Sequence, residues 1–249
     1  MAEDTLPTER LPTDRRSLTE EIVIVLALSL LASAVFAVLN LLQGPLKGGY
    51  VASVNQSTQL ARQVASFVFG LAPVALVAHL LRRSGEGVAT IGLAWDRPRR
   101  DVERGLVLGL IVGLGGIGLY LAAVGIGVNR FVVPVPPTGH WWTLPVLFLN
   151  AAEAALLEEV IVLGYLVTRL EQIGWSTVAA VGASALLRGS YHLYQGWGGF
   201  LGNLAMGLLF GILFVRWRRT WPFVIAHFLL DVGAGIGFLL FREHLPGFS

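Results

Sequence analysis

Three carboxylates stand inside a stretch of the chain that is otherwise apolar enough to lie within a lipid bilayer. They are Glu153, Glu158 and Glu159, in the sequence EAALLEEVIVLGY. An ionised side chain at the centre of a bilayer costs about 3 kcal/mol on insertion scales. Because acids in such positions usually line a substrate or ion pathway, this segment predicts a functional site.

Further polar residues occur in the apolar segments that follow. Arg188 and His192 are four residues apart, as are His227 and Asp231, so each pair shares one face of a helix. A carboxylate base, imidazoles that hold or polarise a water, and an orienting acid are the groups that water activation requires. We therefore expect one cavity between the predicted fourth, fifth and seventh spans, lined by Glu158, His192, His227 and Asp231.

The remaining polar residues of these segments are predicted to support the site. Glu159 lies about 100° around the helix from Glu158, so one carboxylate can face a cavity while the other faces a neighbouring helix. Glu153, Asn150 and Asn203 are predicted to form hydrogen bonds between helices.

The sequence leaves the role of a metal open. Two histidines and a carboxylate match zinc ligation, with His192 and His227 as the candidate ligands. A metal-free glutamate mechanism uses the same residues. The chain has no cysteine, which excludes a thiolate nucleophile, a disulfide and a cysteine metal site.

The composition predicts a polytopic membrane protein. Of the 249 residues, 55% are hydrophobic and 14% are charged, whereas soluble domains carry roughly 25% charged residues. The net charge of +2 does not indicate nucleic-acid binding. Residues 1–19 are predicted to be a disordered cytosolic tail, and residues 20–249 one transmembrane domain whose motif-bearing core is 142–241.

Seven apolar runs predict an all-α fold of seven transmembrane helices, with the site among the last four. The runs are 21–42, 60–81, 103–127, 142–170, 176–194, 199–215 and 221–241. Arginines concentrate in the connections 82–104 and 216–219, which alternate along the chain with arginine-poor connections. The positive-inside rule therefore places the N-terminus and the arginine-rich connections in the cytoplasm, and the C-terminus outside.

Straight helices of these lengths do not bring the predicted site together. At 1.5 Å per residue, His227 lies roughly 10 Å, Glu158 roughly 18 Å and His192 roughly 24 Å from the predicted cytoplasmic ends of their spans. A bend at Gly189, or a span that begins deeper in the membrane, is needed.

Three motifs in order on separate spans give the chain a resemblance to a known family. Glu158-Glu159 with Gly164-Tyr165, then YHLYQGW from Tyr191, then PFVIAHFLLD ending at Asp231, resemble the motifs of the CPBP (CAAX protease and bacteriocin-processing, or Abi) intramembrane proteases. The resemblance covers roughly 145–240. It implies a helical membrane peptidase related to type II CAAX prenyl proteases, with Glu158 as the base and Glu159, His192, His227 and Asp231 completing the site.

Two positions depart from the family pattern. Leu163 stands where the family has Arg in Glu-Glu-x-x-x-Arg, and Arg188 stands where it has Phe in Phe-x-x-x-His. One hypothesis is that the guanidinium has moved to the fifth span, where Arg188 pairs with Glu153 or Glu159. The alternative is that catalysis has been lost.

The sequence thus predicts an endopeptidase that cleaves a peptide or membrane-protein substrate in or near the bilayer. An arginine-, glycine- and alanine-rich chain without cysteine favours a bacterial plasma membrane. The alternatives are a scaffold or immunity protein that keeps the fold, and a transporter that uses the acids as a proton relay. A transporter would favour inverted repeats, and none is evident.

Overall fold

The computed structural model describes residues 15–42, 56–127 and 140–241, and every regular element in these ranges is helical. The all-α class is therefore confirmed for the described residues. The helices are α1 (Arg15–Ala27), α2 (Leu30–Leu42), α3 (Gln56–Gly70), α4 (Ala72–Arg83), α5 (Pro98–Gly125), α6 (Thr143–Glu158), a π-helical segment (Glu159–Tyr165), α7 (Leu166–Gln172), α8 (Thr177–Tyr191), α9 (Trp197–Trp217) and α10 (Trp221–Phe241), with single 3₁₀ turns at Val88–Ile91 and Leu193–Gln195.

The first helix begins earlier than the sequence predicted. Residues 15–19 of the predicted tail form the start of α1, and residues 1–14 lie outside the described ranges. The predicted span 21–42 is divided into α1 and α2 by a turn at Leu28 and Ser29.

Four helical segments of the described residues are long and apolar enough to cross a membrane, so the count of seven is not confirmed. They are Gln63–Arg83, Pro98–Leu119, Trp197–Trp217 and Trp221–Phe241. Helix α8 has only 15 residues and is about 22 Å long, less than the roughly 30 Å of a hydrocarbon core. Long apolar helices make this an integral membrane protein.

Glycines allow α5 to approach α10 closely in a parallel arrangement. A Cβ on Gly105 would lie 2.7 Å from the side chain of Ile225, and one on Gly109 would lie 3.4 Å from Leu229. The other side of α5 exposes large apolar side chains, including Leu106, Leu110, Leu114 and Ile117. That surface suits contact with lipid, because small residues mark helix interfaces in membranes and large apolar ones mark the lipid face.

Helices α8 and α9 form an antiparallel hairpin that also depends on glycine. A Cβ on Gly207 would lie 2.9 Å from the Cα of Ala185, and one on Gly211 would lie 2.5 Å from Val181. The hairpin turns at residues 192–196. Because α8 is short, this turn lies partway along the longer helices around it.

The π-helical segment Glu159–Tyr165 is at the centre of the molecule. All seven of its residues are buried, and Val160, Ile161, Leu163 and Tyr165 belong to the main hydrophobic core. The regular 3.6-residue period that the sequence analysis assumed for this span does not hold here. Such π-helical insertions occur frequently at functional sites.

Candidate active site

Helix α6, the π-helical segment and α7 form one continuous run, Thr143–Gln172, which we call the fourth helical segment. It runs antiparallel to α8, and the register of the two brings the predicted site residues together. Ser184 Oγ donates to the carbonyl of Val162 at 2.6 Å, and Arg188 contacts Glu159. One turn further, the Tyr191 hydroxyl donates to Glu158 Oε2 at 2.7 Å.

The straight-helix estimate placed Glu158 and His227 at different depths. In the structure they lie at similar depths, because α10 begins beside Gly164 and not beside the end of α7. The Thr220 side chain lies beside Gly164, where an added Cβ would be 2.9 Å from Thr220 Oγ1. Measured from this common level, Glu158 is about 9 Å and His227 about 10 Å along its helix.

His192 reaches the same depth by a similar count. Glu158 lies about 21 Å from Gln172, the end of α7, and His192 lies about 22 Å from Thr177, where α8 begins. No bend at Gly189 is needed. The error in the estimate was the assumption that all spans begin at one plane.

Glu158 is held through one of its two carboxylate oxygens. Tyr191 donates to Oε2, His192 Nε2 lies 3.5 Å from Oε2, and Arg188 Nη2 lies 3.9 Å from it. These three contacts converge on the same oxygen and fix the orientation of the carboxylate.

His192 ends α8 and carries its imidazole toward Glu158. The Gln195 amide nitrogen lies 3.1 Å from His192 Nδ1. An amide nitrogen only donates, so Nδ1 is the acceptor and the proton of a neutral ring is on Nε2. Nε2 lies 3.5 Å from Glu158 Oε2 and has no hydrogen-bond partner among the described residues, so its N–H is available to a group placed beside Glu158.

Of the two adjacent glutamates, Glu159 is the one that is fully buried. Its Oε1 receives contacts from Arg188 and from His227 Nδ1, the latter at 2.7 Å. Of the two partners predicted for Arg188, Glu159 is the one that it contacts. Glu159 Oε2 and Arg188 Nη1 are buried without a hydrogen-bond partner among the described residues.

His227 connects Glu159 to the more exposed Asp231. Its Nε2 lies 3.5 Å from Asp231 Oδ2, and the Asp231 side chain is 40% exposed. The predicted sharing of one helix face by this pair is confirmed. The polar network therefore runs without interruption across α10, the fourth helical segment and α8, in the order Asp231, His227, Glu159, Arg188, Glu158 and His192.

Sequence reasoning missed a residue that contacts this network. Tyr191 was not predicted, although its position next to His192 at the end of a helix was a usable signal. Asn203 donates to the carbonyl of Gly199 in its own helix at 2.9 Å, and its predicted bond to another helix stays a prediction. Asn150 does bond between helices, donating to Gln63 at 3.1 Å.

The arrangement of the described residues does not fit a metal centre. No group of three or more His, Asp or Glu side chains among them is placed to hold a metal ion. The ring nitrogens of His227 face Glu159 and Asp231, and those of His192 face Gln195 and Glu158. His227 thus has a carboxylate beside each ring nitrogen, whereas His192 is bonded only through Nδ1 and its Nε2 has no hydrogen-bond partner among the described residues. We derive no step through a metal.

Comparison with protein families confirms the relationship that the motifs indicated. The model of the family described as type II CAAX prenyl endopeptidase Rce1-like matches residues 140–233. Searches of curated proteins and of solved structures give no significant match. The matched range covers less than half of the chain and contains Glu158, Glu159, His192, His227 and Asp231, so this part of the chain is similar to the Rce1-like CAAX prenyl endopeptidases.

Proposed function

We propose that this protein is an intramembrane endopeptidase in which Glu158 activates water. The observation that supports it best is the position of the Glu158 carboxylate, which Tyr191 and Arg188 orient through Oε2 while the His192 imidazole lies 3.5 Å away. A carboxylate oriented in this way beside an imidazole is a suitable general base.

The reaction needs only the groups of this cluster. Glu158 takes a proton from water as the water oxygen bonds to the carbonyl carbon of the peptide. The N–H of His192 donates to the developing oxyanion and stabilises it. When the carbon–nitrogen bond breaks, protonated Glu158 returns the proton to the leaving amine.

Glu159 acts by positioning in this proposal. Its carboxylate compensates the Arg188 guanidinium, which would be costly if it were left unpaired in the membrane. It also holds His227 through Nδ1, while Asp231 faces the other ring nitrogen. These contacts fix α10 against the fourth helical segment and support the geometry of Glu158.

The substrate we propose is a peptide or a segment of a membrane protein in or near the bilayer. The arginine-rich connections favour a cytoplasmic N-terminus, and the composition favours a bacterial plasma membrane. Arg188 takes over the role of the family's helix-four Arg, which Leu163 replaces. A scaffold that has lost catalysis is the competing hypothesis.

The test is cleavage of a membrane-peptide library by the detergent-purified full chain. We expect cleavage by the wild-type protein and its loss in Glu158→Gln, with metal analysis on the same sample. Glu171→Gln is a matched control, because Glu171 pairs with Arg218 away from the site. Equal product from wild type and Glu158→Gln, or no product from either, would favour the scaffold.

A further inference from the structure

The turn that joins α8 to α9 places Gln195 against the ring of His192. His192 follows the last residue of α8, and the 3₁₀ turn Leu193–Gln195 comes next. The Gln195 backbone N–H donates to the carbonyl of His192 at 3.0 Å. Because side chains three residues apart are eclipsed in a 3₁₀ turn, the Gln195 side chain lies over the His192 imidazole, and its Nε2 is 3.1 Å from His192 Nδ1.

The second hydrogen of the same amide nitrogen also has a partner. Gln195 Nε2 donates to the Tyr194 hydroxyl at 3.1 Å. One N–H of the amide is thus directed to His192 and the other to Tyr194. The amide group is held by both of its donors, with its nitrogen toward the ring.

Glycine at position 199 leaves the space that this arrangement needs. A Cβ on Gly199 would lie 2.5 Å from Gln195 Cβ and 2.9 Å from Gln195 Oε1. A larger residue at position 199 would therefore displace the Gln195 side chain. Gly202, three residues further along α9, differs in this respect, because a Cβ there would come no closer than 3.4 Å to Leu119.

The contact with Gln195 decides which nitrogen of His192 carries the proton. A neutral imidazole has one N–H, and a donor facing Nδ1 leaves that N–H on Nε2. His192 Nε2 is buried without a hydrogen-bond partner among the described residues, and it lies 3.5 Å from Glu158 Oε2. A buried N–H next to the base is suitably placed to donate to the oxygen of a peptide carbonyl.

Glu158 also acts on this proton, but its influence changes during the reaction. An ionised carboxylate only accepts hydrogen bonds, so it favours a proton on His192 Nε2. In the proposed mechanism Glu158 takes a proton from water while the oxyanion forms, and its influence is then weakest. The amide of Gln195 keeps its hydrogens throughout, so its effect on the ring persists when the oxyanion needs the donor.

We propose that Gln195 is a positioning residue that keeps the His192 proton on Nε2 and so provides the oxyanion donor. This inference rests on the proposed peptidase function. Gln195 does not touch the substrate and acts only through His192. Gly199 is part of the same arrangement, because it admits the Gln195 side chain.

Nuclear magnetic resonance of isotope-labelled histidine tests the position of the proton without reference to activity. The full chain has five histidines, and the signals of His192 are assigned in detergent with His192→Phe. Spectra are recorded in the Glu158→Gln background, where the side chain at position 158 is neutral, as protonated Glu158 is. We expect the proton on Nε2. Adding Gln195→Glu replaces the donor at Nδ1 by an acceptor and should move the proton to Nδ1.

Two results of this measurement would overturn the proposal. One is a proton on Nδ1 in the Glu158→Gln protein, and the other is a proton that stays on Nε2 after Gln195→Glu is added. In the same background Gly199→Ala should shift part of the population to the Nδ1–H form, whereas Gly202→Ala should not. Identical spectra of the two glycine variants would contradict the role given to Gly199.

A second arm connects the proton to cleavage of a library peptide that the wild-type protein cleaves. Loss of one oxyanion donor lowers kcat by about 100- to 1,000-fold, so Gln195→Glu should lower it by at least about tenfold. Gln63→Glu is the matched control and should leave kcat unchanged. Gln63 is also half-buried and accepts from Asn150 at 3.1 Å, and a carboxylate there would still accept.

The same substitution in a His192→Phe protein shows whether Gln195 acts through the ring. That protein already lacks the donor, so adding Gln195→Glu should lower kcat no further. A further fall there, or an unchanged kcat in Gln195→Glu alone, would overturn the proposal. A wild type that cleaves no peptide contradicts the peptidase function instead, and the spectra then decide by themselves whether Gln195 sets the His192 proton.

Discussion

Two clusters of arginines and carboxylates lie in this molecule, and they differ in how their charges are matched. One cluster, which we call the basic end, holds Arg169, Arg218 and Arg219, and each of these three arginines has its own acid. Arg169 contacts Glu86, Arg218 contacts Glu171, and Arg219 contacts Asp96 and Asp101. In the site, one arginine serves two glutamates, and histidines face the carboxylates in the remaining positions. The first arrangement holds helices together, whereas the second leaves groups that can transfer protons.

The difference shows why buried acids alone do not identify a catalytic site. An arginine remains charged at all relevant pH values, so a carboxylate paired only with arginine is fixed in its ionised form. A carboxylate beside a histidine has a partner that can give and take a proton. The second cluster holds three acids, Glu158, Glu159 and Asp231, but one arginine. This excess of acids over arginines is its chemically useful feature.

The largest effect is expected from removing the arginine of the site. Arg188→Leu leaves Glu159 buried without its cation and should cost about 3 to 5 kcal/mol of stability. Arg218→Leu at the basic end is the matched control and should cost less than about 1 kcal/mol, since the Arg218 side chain is 51% exposed. Thermal unfolding in detergent measures both, and equal losses would erase the distinction between the clusters.

A double substitution tests whether the guanidinium has changed helices. Leu163→Arg combined with Arg188→Phe restores the family pattern and should recover part of the stability and cleavage that Arg188→Leu loses. Failure to recover either would show that Arg188 does not replace the helix-four arginine.

The next largest effect is expected from substituting the two adjacent glutamates, Glu158 and Glu159. Glu158→Gln should fold normally and lose cleavage by a factor of roughly 100 or more, the scale for a general base. Glu159→Gln should lower stability more than the rate per folded molecule, because its carboxylate compensates Arg188. Rate measurements normalised to folded protein distinguish the two, and a reversed pattern would exchange their roles.

A smaller effect is expected at Tyr191. Tyr191→Phe removes the hydroxyl that orients Glu158, and a hydrogen bond to a charged group contributes about 1.5 to 3 kcal/mol. We expect kcat to fall by about 10- to 100-fold with KM little changed. Tyr165→Phe is the control on the basic-end side of the site, because the buried Tyr165 hydroxyl has no hydrogen-bond partner among the described residues. A matching fall in both variants would assign the effect to packing.

The smallest effect concerns pH and the basic end. Burial raises the pKa of Glu86, but hydrogen bonds from Arg169, Ser84 and Gln172 lower it by more. The pKa of Glu86 therefore lies below the ordinary value of 4.5. A carboxyl with a lowered pKa in the folded state contributes stability above pH 4.5, and this contribution is lost as the pH falls through the folded-state pKa. Because Glu86 is partly exposed, we expect less than about 1 kcal/mol.

Unfolding measured in detergent between neutral and acidic pH, for wild type and Glu86→Gln, checks this expectation. Glu86→Gln should be the less stable protein at pH 7 and should show a weaker dependence on acid. An unchanged dependence would mean that other carboxyls account for the acid sensitivity.

Several features of the site followed from the sequence because they depend on one helix or on local composition. His227 and Asp231 share a face because four residues are close to one helical turn. The cost of burying acids predicted a functional role for Glu158 and Glu159, and the order of the motifs indicated the family whose model matches residues 140–233. None of these conclusions required a knowledge of how the helices are offset from one another.

The tertiary structure decided the rest, because contacts between distant segments set those offsets. Gly164 admits Thr220 at the start of α10 and so brings His227 to the depth of Glu159. The antiparallel register of α8 selects Glu159 for Arg188 and adds Tyr191 to the site. A period of 3.6 residues predicts the direction of a side chain on one helix, but the depth at which two helices meet depends on the shapes of both surfaces, which the sequence pattern does not contain.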